Sequence, residues 1–390
     1  MKIENNNYLA EFSFVLYFWG FTLLRPIVQN FLDLSTIILL LFATMIVAPL
    51  LLYKILTRTI IFDLTLFGIL AIFFLFLADA LIRPNSYSYL YLYHFIIYGL
   101  IPVFIFSQIL DIKKTLYYFC YFSCFVFIIY GHDPITGNNI FSGYMDYGFN
   151  LTLPAFLGIF IGCHYFKIKW FFFVEIICLL MIIFFSNRSA ALAVALFAIL
   201  YSFKQYPNYR KLIIRFLIPL LVIIVYIYSQ MLYLVENLMH YLKVFELPSY
   251  SLHQLYNYLL IQDLESFYGG RFSIWNRSLE IINDNVLLGK GIGYYQSLHG
   301  TYSHNILLDL LMFFGLFGFI IFIYHIIKSF YKILFSNGIV SILGIVFICL
   351  WFPKLLFSNY FLRDLGFWCF LLYPYTKSFT INSKINKHSN

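Results

Sequence analysis

Apolar residues fall along this chain in long runs separated by short polar joints. Ile37–Tyr53, Ile69–Leu77 and Ile213–Tyr228 are almost wholly apolar. A bilayer is crossed by about 20 such residues when each backbone polar group is bonded within its own helix. The pattern predicts an all-α, polytopic integral membrane protein with about 12 transmembrane helices. The spans fall near 8–24, 35–53, 60–81, 89–110, 115–130, 146–166, 170–186, 189–203, 212–230, 304–327, 338–357 and 360–375.

One interval breaks the rhythm. Gln230–Ser303 is far longer than the other joints. Met231–Leu260 mixes apolar and polar residues in a way that suits helices lying on a membrane surface. Gly269-Gly270 ends what precedes, and a helix starts near Arg271. In it Phe272, Trp275, Leu279, Ile282 and Val286 recur at three and four as one apolar stripe. The chain therefore divides into 1–230 (transmembrane helices 1–9), 231–303 (a non-cytoplasmic loop with amphipathic helices), 304–376 (helices 10–12) and a tail, 377–390. No repeat relates the two halves, which weighs against the inverted-repeat architecture of many transporters.

Composition agrees. Of 390 residues 62% are hydrophobic and 11% charged, whereas a soluble domain carries about a quarter charged residues. The net charge of +8 is scattered as single and paired basic residues between spans, which marks topology and excludes a nucleic-acid surface. With both termini cytoplasmic, sixteen Lys and Arg lie inside and nine outside, as the positive-inside rule requires. Thirteen of the inside residues are lysines, and six of the nine outside are arginines. A point charge suffices near headgroups, but a planar fork is preferred where phosphate or carboxylate is held bidentately. Pairing with the carboxylates Asp33, Asp364 or Glu280 is the alternative use for those arginines. The N-terminus has no short apolar core with a small-residue cleavage site, so the first span reads as a retained anchor. All six cysteines fall within spans, without zinc spacing, and no metal site is expected. Abundant Phe and Tyr, with frequent Asn, Ile and Lys, point to an AT-rich, bacterial coding sequence.

The candidate chemistry gathers on the outer side. His304, in Tyr302-Ser-His-Asn-Ile306, stands at the outer end of the tenth span, and an unperturbed imidazole accepts a proton near neutral pH. Asn305 beside it suits a helix cap or a sugar contact. Arg188, in Ser186-Asn-Arg-Ser189, sits at the outer turn between the seventh and eighth spans, before a run of alanines suited to close packing. Arg271 stands near a helix N-terminus, where backbone donors favour an anion. Arg277 either pairs with Glu280 three residues on or joins a binding surface. Arg25-Pro26 and Arg83-Pro84 each end a span and are further candidates for anionic substrate or headgroups. Gly289-Lys-Gly-Ile-Gly293 follows no strand and is a tight turn rather than a nucleotide loop. Asp263 and Glu265 form only a short acidic tripeptide. Asp63, Asp79, Glu175 and Asp309 lie in or near spans, where carboxylates can relay protons.

Four segments together carry a resemblance. Ser-Asn-Arg-Ser-Ala-Ala at 186–191, Gly-Gly-Arg-Phe-Ser-Ile-Trp at 269–275, Leu-Leu-Gly-Lys-Gly-Ile-Gly at 287–293 and the stretch from Ser303 to Gly318 occur in this order. The pattern resembles the O-antigen polymerase and ligase family of bacterial inner membranes, the Wzy polymerases and WaaL ligases. The likeness covers roughly residues 145–330.

It implies glycosyl transfer, without metal or other cofactor, from an undecaprenyl-pyrophosphate-linked glycan at the periplasmic face of the inner membrane. By resemblance Arg188 and Arg271 hold pyrophosphate and His304 activates the acceptor hydroxyl. Tyr302, Asn305, Arg277, Arg25 and Arg83 surround the substrate, and a chain-length regulator is a possible partner. The aromatic-rich first half favours a polymerase; a ligase would use lipid A–core as acceptor, with His299 as a candidate second histidine. Rival classes are a lipid-linked oligosaccharide flippase, which needs polar residues at mid-membrane, and an acyltransferase, which leaves the outer arginines without a role.

Overall fold

A computed structural model describes residues 8–26, 35–137, 140–141, 143–205, 231–244, 256, 271–357 and 359–380. The described chain is helical, and no strand occurs among the described residues. Its helices are α1 (Leu9–Leu23), α2 (Ser35–Leu56), α3 (Leu64–Ile82), α4 (Ser88–Ser107), α5 (Ile112–Tyr130), α6 (Tyr144–His164) and α7 (Phe171–Phe185). They continue as α8 (Arg188–Gln205), α9 (Met231–Val244), α10 (Arg271–Asp284), α11 (Tyr294–His299), α12 (Ile306–Phe335), α13 (Ile339–Phe357) and α14 (Leu365–Leu372).

Among the described residues seven helices are long and apolar enough to cross a membrane, with shorter apolar helices at Leu9–Leu23, Phe171–Phe185 and Leu365–Tyr375. The chain is a multi-pass membrane protein. Each expected span within the described residues falls on a helix. The span expected at 212–230, Gly269-Gly270, Asp33, Asp263 and Glu265 lie outside them.

Helix starts follow from local chemistry. Asp63, Asp111, Asn305 and Asp364 each accept a backbone N–H from the first turn that follows, the last from Phe367 N at 2.8 Å. Such caps satisfy donors that a helix cannot satisfy itself. Two helices carry a π-helical turn, α4 at Ile96–Leu100 and α6 at Gly148–Thr152.

The interior is largely aromatic. Trp19, Trp351 and Trp368 are fully enclosed, and Phe95 meets Phe76 and Trp368 edge-on at 4.6 and 4.8 Å between centroids. Edge-to-face contacts suit rings whose faces are negative and edges positive. Ala190 and Ala193 are fully buried and let α8 pack closely on α13, as the alanine run suggests, while Ala195 and Ala198 are exposed. Outward, Met45, Ile82 and Phe173 are more than 70% exposed (74, 77 and 71%), an apolar perimeter that only lipid would cover.

Two expectations need correction. The tenth span is not a single rod from 304 to 327: α12 runs Ile306–Phe335 and is broken at Gly315, where φ is 62° and ψ −165°. The loop segment Val286–Gly291 fills the break. Lys290 N donates to Met312 O at 2.7 Å, Gly291 N to Phe313 O at 3.2 Å, and Leu316 N to Val286 O at 2.8 Å. An interrupted helix at membrane depth is tolerated where other protein groups take up its freed bonds. Second, the stripe on α10 does not face the protein as a unit. Ser278, Ile281 and Ile282 are buried, whereas Phe272, Leu279 and Val286 are exposed. The side that docks is set by packing onto α12, and the remaining apolar residues face away from it.

Candidate functional site

α1, α3 and α7 finish, and α4, α6, α8 and α12 start, at one end of the bundle, which carries Arg25, Arg83, Arg188, Arg271 and Arg363. His304 lies there, not within α12 but just ahead of it. Asn305 is the cap, its Oδ1 accepting from Leu307 N at 2.9 Å and Leu308 N at 3.4 Å. His304 is left-handed, with φ 59°, a conformation uncommon for residues other than glycine. It is fixed from both sides. The buried Ser303 donates its hydroxyl to Asp309 Oδ1 at 2.6 Å, and Asn305 N donates back to Ser303 Oγ at 3.1 Å.

Tyr302 packs against His304 with centroids 4.2 Å apart and the rings tilted by 45°, and it meets Tyr360 at 5.0 Å. Burial pushes the Tyr302 phenol up from its ordinary value, against the opposing pull of Arg363 and Arg271, with Asp309 acting in the same direction as burial. The hydroxyl therefore stays a neutral donor and acceptor.

Arg271 heads α10, which is pinned to this corner by two bonds. Trp275 Nε1 donates to Ser303 O at 3.2 Å, and Tyr295 Oη donates to Ile274 O at 3.3 Å. Burial presses the Arg271 guanidinium below its ordinary value; Arg188 pushes the same way, and Tyr144 and Tyr302 oppose it. Arg188 and Arg271 thus feel each other as like charges. Arg188 opens α8 behind Asn187, which accepts from Ala190 N at 2.6 Å and donates from Nδ2 to Met145 O at 3.4 Å. Those bonds tie the 186–188 corner to the start of α6, where Tyr144 stands. The N-terminal ends of α8, α10 and α12 accordingly meet around Arg188, Arg271 and His304. Each end also carries the positive pole of its helix dipole, a setting that favours anions.

The other candidates are placed differently. Arg83 bonds Asp79 through Nε at 2.7 Å and through Nη2, and its Nη1 donates to Gly289 O at 3.0 Å and Leu288 O at 3.3 Å. It clamps the glycine turn, whose Ile292 N also donates to Asp79 Oδ2 at 2.7 Å. Gly289, Gly291 and Gly293 all have positive φ, as a tight turn requires. Arg277 is exposed, with Tyr295 among the groups that feel its charge. Arg25 forms an ion pair with Asp146 and lies over Phe141, 5.0 Å from the ring centroid.

Beside Tyr302 opens a cavity of about 440 Å³, lined among others by Tyr98, Arg25, Asp146, Lys354 and Arg363. Asp364, a carboxylate considered as an arginine partner, instead pairs with Lys354 at 2.9 Å. Tyr98 and Asp146 carry no sequence signal of function; a π-helical turn and an ion pair across the fold place them. Away from this end, Cys163, His164 and Glu175 bring potential ligand atoms within 4.8 Å of one another, with His164 Nε2 3.1 Å from Glu175 Oε1.

Residues 173–323 match a family model described as O-antigen ligase. No curated protein and no solved structure matches the chain. The match runs from α7 into α12 and contains Arg188, Arg271, Tyr302 and His304. Over that stretch the chain is similar to the O-antigen polymerase and ligase family, whose members are membrane glycosyltransferase-like enzymes.

Proposed function

We propose that this protein is an O-antigen polymerase, joining undecaprenyl-pyrophosphate-linked repeat units at the periplasmic face of the inner membrane with both termini cytoplasmic. The observation that carries the reading is the meeting of three helix N-termini, which sets Arg188 and Arg271 together beside Tyr302 and His304. Arg188 and Arg271 bind the pyrophosphate of the donor. His304 takes the proton from an acceptor hydroxyl, whose oxygen attacks the anomeric carbon of the donor sugar. The bond from that carbon to pyrophosphate oxygen breaks, and undecaprenyl pyrophosphate leaves with its electron pair. Two fixed guanidiniums neutralise the charge that grows on the leaving group. Tyr302 and Asn305 flank the base, Asn305 by holding the helix start and Tyr302 by ring contact. A lipid-linked glycan and the bilayer are the partners, with a chain-length regulator as a further one.

The test is genetic and biochemical together. His304→Ala and Arg271→Ala each abolish long glycan chains while the protein still accumulates in the membrane; normal chain length in either variant overturns the assignment. The description of the matching family favours a second reading, ligation to lipid A–core. Deletion separates the two on a lipopolysaccharide gel. Core bearing a single repeat marks a lost polymerase, and bare core with accumulated lipid-linked polymer marks a lost ligase.

A further inference from the structure

The cavity beside Tyr302 is not part of the pyrophosphate cradle, and its walls have a chemistry of their own. Its volume of about 440 Å³ is near the lower end of the range for small-ligand sites, about 300–1,000 Å³. Both π-helical turns among the described residues contribute to it: Tyr98 comes from Ile96–Leu100, and Phe149 and Asn150 come from Gly148–Thr152. Such turns interrupt regular helix bonding and concentrate at functional sites because they re-aim side chains. Here they turn an aromatic ring and an amide into one space. Thr22 Oγ1 donates to Asn150 O at 3.0 Å and fixes the second turn against α1.

The charges lining the cavity do not cancel. Arg25, Lys354 and Arg363 face it together with Asp146 and Asp364. Arg25 pairs with Asp146 and Lys354 with Asp364. Arg363 has no carboxylate within ion-pair distance among the described residues. Its guanidinium lies 5.8 Å from the Tyr98 ring centroid. One surplus positive charge remains, set among aromatic rings and an amide. Aromatic faces accept the C–H face of a pyranose, and a guanidinium fork accepts a carboxylate bidentately. A pyrophosphate would bring more charge than one cation answers, and Arg188 and Arg271 already stand for it.

We infer that this cavity is the subsite for an acidic sugar of the acceptor glycan, with Arg363 binding its carboxylate and Tyr98 and Tyr302 bracketing its ring. Tyr302 lines the cavity on one side and packs against His304 on the other, so a sugar seated there presents a hydroxyl to the base. The assignment of the acceptor role rests on the glycosyl-transfer reading above; the presence of a uronate site does not.

The test uses the full chain in lipid nanodiscs and three probes: methyl glucuronide, methyl glucoside and inorganic pyrophosphate. Methyl glucuronide binds about tenfold more tightly than methyl glucoside, the worth of one charge-assisted contact. Arg363→Gln erases that preference, Arg363→Lys keeps part of it, and Arg271→Ala leaves it unchanged while weakening pyrophosphate. Equal binding of the two glycosides overturns the inference, as does loss of glucuronide binding in Arg271→Ala, which would put the carboxylate in the pyrophosphate cradle. Composition of the cell's own glycan is an independent check, and a repeat unit of neutral sugars alone overturns the inference. If His304→Ala makes normal chains while Arg363-dependent glucuronide binding persists, the polymerase reading fails and the uronate site stands.

Discussion

Replacing Gly315 by alanine tests whether the break in α12 holds the site together. At φ 62° and ψ −165° the residue occupies a region essentially reserved for glycine, at a cost of about 1–3 kcal/mol for any other residue. The added Cβ would stand 2.3 Å from the carbonyl carbon and oxygen of Leu287 and 2.5 Å from Leu288 N. These are backbone atoms and cannot rotate aside, so the 286–291 segment must withdraw. Withdrawal breaks the Lys290 N to Met312 O and Leu316 N to Val286 O bonds, each worth about 1 kcal/mol. The sum is about 3–5 kcal/mol, which lowers the docked population by at least about a hundredfold. Hydrogen exchange on the protein in nanodiscs reads this directly. The amides of Lys290 and Leu316 lose protection by about two powers of ten, and long glycan chains disappear from the gel. Gly143→Ala is the control, since a Cβ there meets nothing within 4 Å, and it should change neither readout. Full protection and normal chains in Gly315→Ala would show that the docked segment is not needed to hold Arg271 and His304 in register.

Other substitutions divide the arginines by role. Arg83→Ala leaves Asp79, whose side chain is 5% exposed, without its countercharge, and such a broken pair costs about 3 kcal/mol or more. A clear fall in melting temperature is expected; an unchanged melting temperature with lost glycan would return Arg83 to substrate contact. Arg271→Lys tests the field at the site through pH. Burial and Arg188 both lower the pKa at this position, and a lysine begins from about 10.4, so its charge is lost as pH rises. The variant should be most active at lower pH and fade in alkaline buffer where the parent protein does not. Parallel pH profiles would mean that Arg271 does not act through its charge.

The sequence makes some of this legible because the cause is local. Spans appear as apolar runs, and Asn305 announces its cap because capping needs only the next turn of helix. The glycine turn at 289–293 declares itself through positive-φ demands that few residues meet. What depends on distant partners does not show. Gly315 looks like any glycine in an apolar helix, since its bonds are completed by residues from Val286 to Gly291. Arg25 and Asp146 pair across a separation of 121 residues. Asp79 and Arg83 could have been read from their spacing of four, yet the two carbonyls that Arg83 also binds could not. The π-helical turns at Ile96–Leu100 and Gly148–Thr152 leave no periodic trace, and so Tyr98 and the cavity are visible only in three dimensions.

The division among arginines follows from what each helix end offers. Arg83 lies at the C-terminal end of α3, where the helix dipole favours a cation, and Asp79 one turn back supplies its counterion. Its charge is answered within the fold, which makes it a clamp. Arg188 and Arg271 stand at the opposite kind of end, the first residues of α8 and α10, where the dipole disfavours a cation by a few tenths to about 1 kcal/mol. They also repel each other in a partly buried corner. Evenly placed cations would avoid both penalties. On the proposed reading an anion offsets both penalties, because one multivalent anion can meet two guanidiniums at once. That differential is greatest for a group gaining negative charge during reaction. A departing pyrophosphate is such a group, and a static lipid headgroup is not.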